Sequence, residues 1–245
     1  MSKKYDAILG FIIGDALGLP YEFRSEKDFM CKGMDGYKAH YQPPGTWSDD
    51  TSMLLATLNA KNLSQILDNY CDWYYHGAYT PFGVCFDIGN TMQEVLEDYN
   101  NNIPWQKDGF YDNGNAPLCR VIPFVFSRHS KHKLVEAVKL THTHPISIKA
   151  CIDYYCILEN ALLHKDLLDG VSRPRPTKLN PNEGYIEDTL NNALYCIYHS
   201  STFSEAVLMA VNAGGDTDST AAITGSIAAV LYGIDSIPRA WIKQL

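Results

Sequence analysis

The sequence predicts an all-α protein built as a single domain over residues 1–245. Three observations carry that prediction. Apolar residues recur at helical spacing through most of the chain. Strand-type alternation is scarce. No internal repeat, low-complexity tract or linker divides the sequence.

Taken in order, Lys3–Leu17 has helical periodicity, and Gly10, Gly14 and Gly18 stand four apart on one stripe. Such a stripe sacrifices helix propensity so that another backbone can come close. Asp49–Leu63 reads as the next helix, with Ser48 as its N-cap and two acids in its first turn. Further helices are expected at Leu67–His76, Gly89–Tyr99, Lys131–His142, Ser147–Lys165, Ile186–His199, Ser204–Ala213 and Thr220–Tyr232. "GFYDN" after Trp105 is a short strand signal, and "RVIPFVF" suits a buried helix or a strand. Lys27–Trp47 and Asp169–Gly184 read as surface loops, rich in turn-forming residues.

Composition excludes several functions. The chain is 46% hydrophobic with a net charge of −8, and it has no Lys/Arg block to make a general nucleic-acid surface. Seven cysteines, an odd number without a C-x-x-C pair, fit neither a disulfide framework nor a zinc knuckle. The apolar run "AILGFIIGDALGLP" is interrupted by Asp15 and closed by Pro20, too short to span a bilayer. A cytoplasmic protein is expected, monomeric and without a membrane partner.

Two short stretches carry the chemistry. "GTWSDDTSM" and "NAGGDTDST" each set a hydroxyl and two acids at the start of an apolar helix. One acid there needs no more than a capping role. A cap uses one oxygen, however, and neighbouring carboxylates repel. Should the two stretches face each other, four carboxylates converge, and cations would have to neutralise them. All-oxygen ligation points to magnesium, manganese or calcium rather than zinc. A shared carboxylate can hold two ions about 3.5–4 Å apart. The EF-hand loop pattern is absent.

Three motifs in register, "GDALGLPYE" (Gly14–Glu22), "SDDT" (Ser48–Thr51) and "GGDTDST" (Gly214–Thr220), resemble the ADP-ribosylglycohydrolase family. The resemblance runs from Ile8 to Gly233. It implies an orthogonal helical bundle with a binuclear Mg2+ or Mn2+ centre at the base of an ADP-ribose cleft. It assigns metal ligation to Ser48, Asp49, Asp50, Asp216, Asp218 and Ser219, with Asp218 bridging the ions. Glu22 is a surface Glu beside a turn on its own residues. By resemblance it lies beside the metals and handles a proton in glycosidic hydrolysis.

"FDIGNT" resembles the family's D-I-G-x-T segment. Gly89, Asn90 and Thr91 would open a helix that receives phosphate. Asp87 is either an N-cap or a group that holds a ribose hydroxyl or acts as a second acid–base. "NGNAPLCR" resembles the phosphate-cradling loop, with Gly114 and Asn115 in register, but Ala116 replaces a glycine and Cys119 a methionine. An alanine restricts that turn if positive φ is needed. Arg120 reads as a phosphate clamp or as a structural arginine. His142 matches a position near the ribose-phosphate end; His142 and His144, two apart, do not share a helix face.

The expected activity is metal-dependent hydrolysis of the bond between ADP-ribose and an acceptor, arginine favoured. The substrate is then an ADP-ribosylated protein or a small ADP-ribosyl compound. The alternatives are a nucleotide pyrophosphate hydrolase and a catalytically silent ADP-ribose-binding or structural protein.

Overall fold

The computed structural model describes residues 3–127 and 131–245. Its α-helices are α1 (Lys3–Gly18), α2 (Asp49–Asn59), α3 (Leu63–His76), α4 (Asn90–Asn100), α5 (Ile122–Val125), α6 (Lys131–Lys139), α7 (Pro145–Leu162), α8 (Ile186–Tyr198), α9 (Phe203–Asn212), α10 (Thr217–Tyr232) and α11 (Arg239–Ile242). Among the described residues there is no strand; two isolated bridges, Arg24 with Gly215 and Lys107 with His142, are the extended pairings. No helix among them is long and apolar enough to cross a membrane. By its internal contacts the chain forms two compact units, Met1–Trp47 with Cys156–Leu245, and Ser48–Tyr155.

In the first unit α1 runs against α10. The glycine stripe explains how closely. A Cβ on Gly10 would stand 2.2 Å from the Gly225 carbonyl oxygen, one on Gly14 2.0 Å from that of Ala221, and one on Gly18 2.3 Å from Asp218 Cα. Backbone meets backbone, so no side chain can yield. α10 is buried from Thr217 to Val230, and two of its threonines bond back along the helix. Thr220 and Thr224 donate to carbonyls four residues back, each at 2.7 Å. α8 and α9 cover the rest of α10.

Pro20 ends α1 in a 3-10 turn over Leu19–Tyr21. The 27–47 segment is irregular but anchored: Asn212 of α9 exchanges two hydrogen bonds with the Cys31 backbone, at 2.7 and 3.0 Å. The 169–184 segment likewise holds two buried anchors, Arg173 and Asn182. Arg173 pairs with Glu187 at 2.8 Å and donates to Asn191 at 2.7 Å.

In the second unit α2 and α3 pack together and carry α4, α5 and α6 on their flanks. The expected Asp49–Leu63 helix stops at Asn59, because Asn62 caps the next one by accepting from the Gln65 N–H at 3.0 Å. α3 therefore starts at Leu63, earlier than expected. It ends at Gly77 in the left-handed region, φ +67. "GFYDN" forms a 3-10 turn rather than a strand, with the Asp112 carboxylate accepting from Gly109 N–H at 3.0 Å. "RVIPFVF" gives the single-turn helix α5.

Candidate metal and nucleotide-binding site

In the first unit the α1–α10 contact sets the chemistry. Thr217 Oγ1 donates to the Gly18 carbonyl at 2.9 Å, tying the start of α10 to the end of α1. Four residues past Gly18 comes Glu22. Phe23 N–H donates to the Gly215 carbonyl at 2.7 Å, and Gly215 N–H returns a bond to Arg24 at 3.1 Å. This bridge lays Glu22 beside Asp216. Gly214 and Gly215 both sit at positive φ, and a side chain on Gly215 would meet the Asn182 carbonyl at 2.1 Å. Asn182 accepts from Asp216 N–H at 2.9 Å through that carbonyl and donates to Thr220 Oγ1 at 2.9 Å.

Glu22, Asp216 and Asp218 each offer a carboxylate oxygen, and these oxygens lie within 4.8 Å of one another. All three residues are buried. Asp216 occupies the N-cap position of α10, yet its carboxylate makes no capping bond. Asp218 accepts from the Ser219 N–H at 2.9 Å. Ser219 itself is buried. Three buried carboxylates at that separation repel strongly, and the helix N-terminus offsets only part of this. A hard divalent cation fits the donor set. Glu22 thus shares a cluster with two of the expected ligands. Its carboxylate is also hydrogen-bonded to His40 Nε2.

In the second unit Ser48, Asp49 and Asp50 open α2. Ser48 is the N-cap expected: its Oγ accepts from Asp50 N–H at 3.2 Å. Ser48 and Asp50 are buried, and Asp49 is half-buried. The Cys119 thiol donates to Asp50 Oδ1 at 2.7 Å. Burial, reinforced by the Asp50 charge, pushes that thiol far above its ordinary range, so it remains a donor.

Asp87 is half-buried with φ +63, two residues before the N-cap position of α4, which Gly89 occupies. Gly89 is the N-cap of α4, without a capping side chain, and a Cβ there would meet nothing within 4 Å. Gly89 and Asn90 are exposed and Thr91 half-buried. That open helix start suits an anionic group. Gly114 and Asn115 form the turn between two 3-10 segments, steadied by Asn113, which accepts from Ser147 Oγ at 2.8 Å. Ala116 lies outside the left-handed region, so the alanine fits its turn.

Arg120 is fully buried. It donates to Thr141 Oγ1 at 2.8 Å and to the Ala137 carbonyl at 3.3 Å, and it lies over the Tyr70 ring. It is therefore a structural arginine. His142 is also fully buried, outside α6, which ends at Lys139. Its Nδ1 pairs with Thr141 Oγ1 at 2.8 Å, and its Nε2 has no hydrogen-bond partner. Burial first, then the Arg120 charge, lower its pKa to about 3. Next to the Gly114 turn, Phe110 and Tyr111 are 64% and 95% exposed, with ring centroids 5.5 Å apart. Among sixteen tyrosines, no sequence signal marks that one.

Over residues 1–245 the chain matches the family described as ADP-ribosylglycohydrolase. The chain belongs to that family. Two relatives show how the ADP-ribosylglycohydrolase pattern extends across it. The ADP-ribosylarginine hydrolase Tri1 of Pseudomonas putida (strain GB-1) is 33% identical, covering 100% of this chain and 74% of its own length. The ADP-ribosyl-[dinitrogen reductase] glycohydrolase of Rhodospirillum rubrum is 27% identical, covering 98% and 88%. A solved structure titled an ADP-ribosylglycohydrolase-related protein complex superposes with a TM-score of 0.83 at 26% identity, over 99% of this chain and 92% of its own. This chain is accordingly an all-α ADP-ribosylglycohydrolase-family hydrolase with acidic groups suited to a metal ion.

Proposed function

We propose that the chain hydrolyses the bond between ADP-ribose and an acceptor side chain, with ADP-ribosylated arginine as its favoured substrate. The convergence of Glu22, Asp216 and Asp218 carries this reading, in a chain similar to proteins named for ADP-ribosylarginine and ADP-ribosyl-protein hydrolysis. Ser48, Asp49, Asp50, Asp216, Asp218 and Ser219 are the proposed ligands of two divalent ions, Mg2+ or Mn2+. Ligation by both acidic groups rests on the residue match to the family. When bound, such ions polarise water and orient ribose hydroxyls.

Glu22 takes the proton from the attacking water as its oxygen bonds to the anomeric carbon and the carbon–nitrogen bond to the guanidine breaks. The proton taken up by Glu22 then passes to the departing guanidine nitrogen, which ends protonated, and the carboxylate is regenerated. Asp87 holds a ribose hydroxyl. The α4 start at Gly89, Asn90 and Thr91, together with the Gly114–Asn115 turn, receives the pyrophosphate. Phe110 and Tyr111 supply exposed rings for the adenine. His142, fully buried, supports this end through Thr141 rather than from the surface.

The test is release of ADP-ribose from arginine-, serine- and O-acetyl-linked substrates, with Mg2+, with Mn2+ and with chelator. Metal-dependent release of ADP-ribose from the arginine substrate is expected. AMP as product would replace this reading with pyrophosphate hydrolysis; ADP-ribose binding without any product would leave a binding protein.

A further inference from the structure

The turn that carries Glu22 is gripped, residue by residue, by the segment between Asp35 and His40. Pro20 accepts from the Ala39 N–H through its carbonyl at 2.9 Å. The Tyr21 phenol donates to the Asp35 carboxylate, and Lys38 Nζ donates to the same phenol oxygen while lying 4.0 Å from the ring centroid. Burial, then the bond to Asp35, pushes the Tyr21 phenol well above its ordinary range and keeps it a donor. Glu22 is joined to His40 Nε2. Three consecutive residues thus have partners in one six-residue stretch.

That stretch is braced in turn. Tyr37 N–H donates to the Gln42 carbonyl at 2.7 Å, folding 37–42 back on itself, and Tyr37 and Tyr41 both take positive φ. Lys38 and Asp35 close their own pair at 2.9 Å. A bulky residue in the left-handed region is disfavoured unless the surroundings hold it there. The inner rung, His40 to Glu22, is the most protected: the His40 side chain is 25% exposed and that of Glu22 only 7%.

We propose that His40 is a positioning residue for Glu22, and that Asp35–His40 acts as a clamp fixing the carboxylate's rotamer for water activation. The inference rests on the hydrolytic reading of Glu22 given above. A carboxylate on a four-bond side chain has several rotamers, and misplacement by about 1 Å costs on the order of 100-fold in rate. The Pro20–Ala39 and Tyr21–Asp35 rungs do not involve the imidazole, so removing it takes away the His40 contact to Glu22 and leaves the turn's other two rungs in place.

The experiment compares His40→Ala, His40→Gln and Tyr21→Phe with the wild-type chain at one pH. Turnover of an ADP-ribosylarginine substrate, Mn2+ affinity by electron paramagnetic resonance, and thermal stability are read on each. His40→Ala should lower kcat about 10- to 100-fold, the scale of an outer partner to a reactive group. The loss should appear in kcat, with KM and Mn2+ affinity changed far less, because His40 bonds to Glu22, which is not one of the six proposed metal ligands. His40→Gln, which keeps an N–H donor, should recover part of the loss. Wild-type kcat in His40→Ala overturns the proposal. So does a loss that Gln does not relieve and that tracks falling thermal stability.

A second readout is independent of turnover. In long-range 1H–15N spectra of histidine-labelled protein, the His40 imidazole nitrogens should shift in Glu22→Gln and stay in place in Tyr21→Phe. No shift in Glu22→Gln overturns the clamp. If the wild-type chain releases no ADP-ribose while the shift is present, the contact stands and the hydrolytic reading of Glu22 falls instead.

Discussion

The helix starts at Asp216 and at Ser48 use similar residues but are held in place by different physics. At α10 the N-cap carboxylate makes no capping bond, and position comes from backbone packing: Gly18 against Asp218, Gly14 against Ala221, Gly215 against Asn182. At α2 position comes from side-chain bonds, Ser48 to Asp50 N–H and Cys119 to Asp50 Oδ1. Backbone contact leaves no atom free to move, whereas a lost hydrogen bond can be partly replaced by water. The first arrangement should fail abruptly when altered, and the second by degrees.

The largest effect should come without any change in fold. Glu22→Gln keeps the size and most of the packing of a buried side chain but cannot accept the water proton. Turnover should fall about 10²- to 10⁴-fold, while ADP-ribose binding persists and Mn2+ is still held through the six proposed ligands, with the Gln amide oxygen in place of the Glu22 carboxylate. Calorimetric titration beside the activity assay checks both halves. Unchanged turnover would remove Glu22 from the chemistry and leave the carboxylate cluster as a metal site alone.

Gly14→Ala tests the rigid side of the comparison. The added methyl would stand 2.0 Å from the Ala221 carbonyl oxygen, so the α1 and α10 backbones must separate. Overpacking of this kind destabilises by about 2–4 kcal/mol, more than outweighing the better helix propensity of alanine. Urea unfolding gives the number. A neutral result would mean that the two helices slide freely, and that Glu22 and Asp218 are not set by this contact.

The glycine stripe was legible because a four-residue period has one geometric meaning on a helix, close approach along one face. Ser48 was legible for the same kind of reason, an N-cap chemistry tied to position. Where helix α2 stops was not: Leu63 continues the apolar period, and only the Asn62 cap, competing locally, ends α2 at Asn59. His40 and Asn182 were invisible for a deeper reason. Both sit in irregular segments, where no period says which side chain turns inward, and their partners lie 18 and 38 residues away. The Asp169–Gly184 stretch reads as a surface loop by composition, yet buried Asn182 holds the backbone just before the acidic pair.

A pH measurement sharpens the comparison from the second unit. His142 has its pKa lowered to about 3, against about 6.5 in an unfolded chain. Between those values the unfolded state binds the proton and the folded state does not. Stability is therefore fully present above about pH 6.5 and falls as pH drops toward 3. This one group should remove about 2 kcal/mol between pH 7 and pH 5. His142→Asn should flatten that part of the profile in denaturant unfolding. An unchanged slope would mean that His142 is solvated and protonates in place.

The smallest effect belongs to the α2 cap, and it decides whether side-chain positioning is graded. Ser48→Ala removes the acceptor for Asp50 N–H and should cost about 1 kcal/mol of stability. Cys119→Ala removes the thiol from Asp50 Oδ1, and Cys119→Ser restores a donor of similar reach. Mn2+ affinity should weaken modestly in Ser48→Ala and in Cys119→Ala, and recover in Cys119→Ser. Collapse of metal binding in Cys119→Ala, which removes no proposed ligand, would place the α2 group on the same rigid footing as α10. No change in any of the three would mean that Asp50 is held by the backbone of α2 itself, with its first-turn geometry alone aiming the carboxylate.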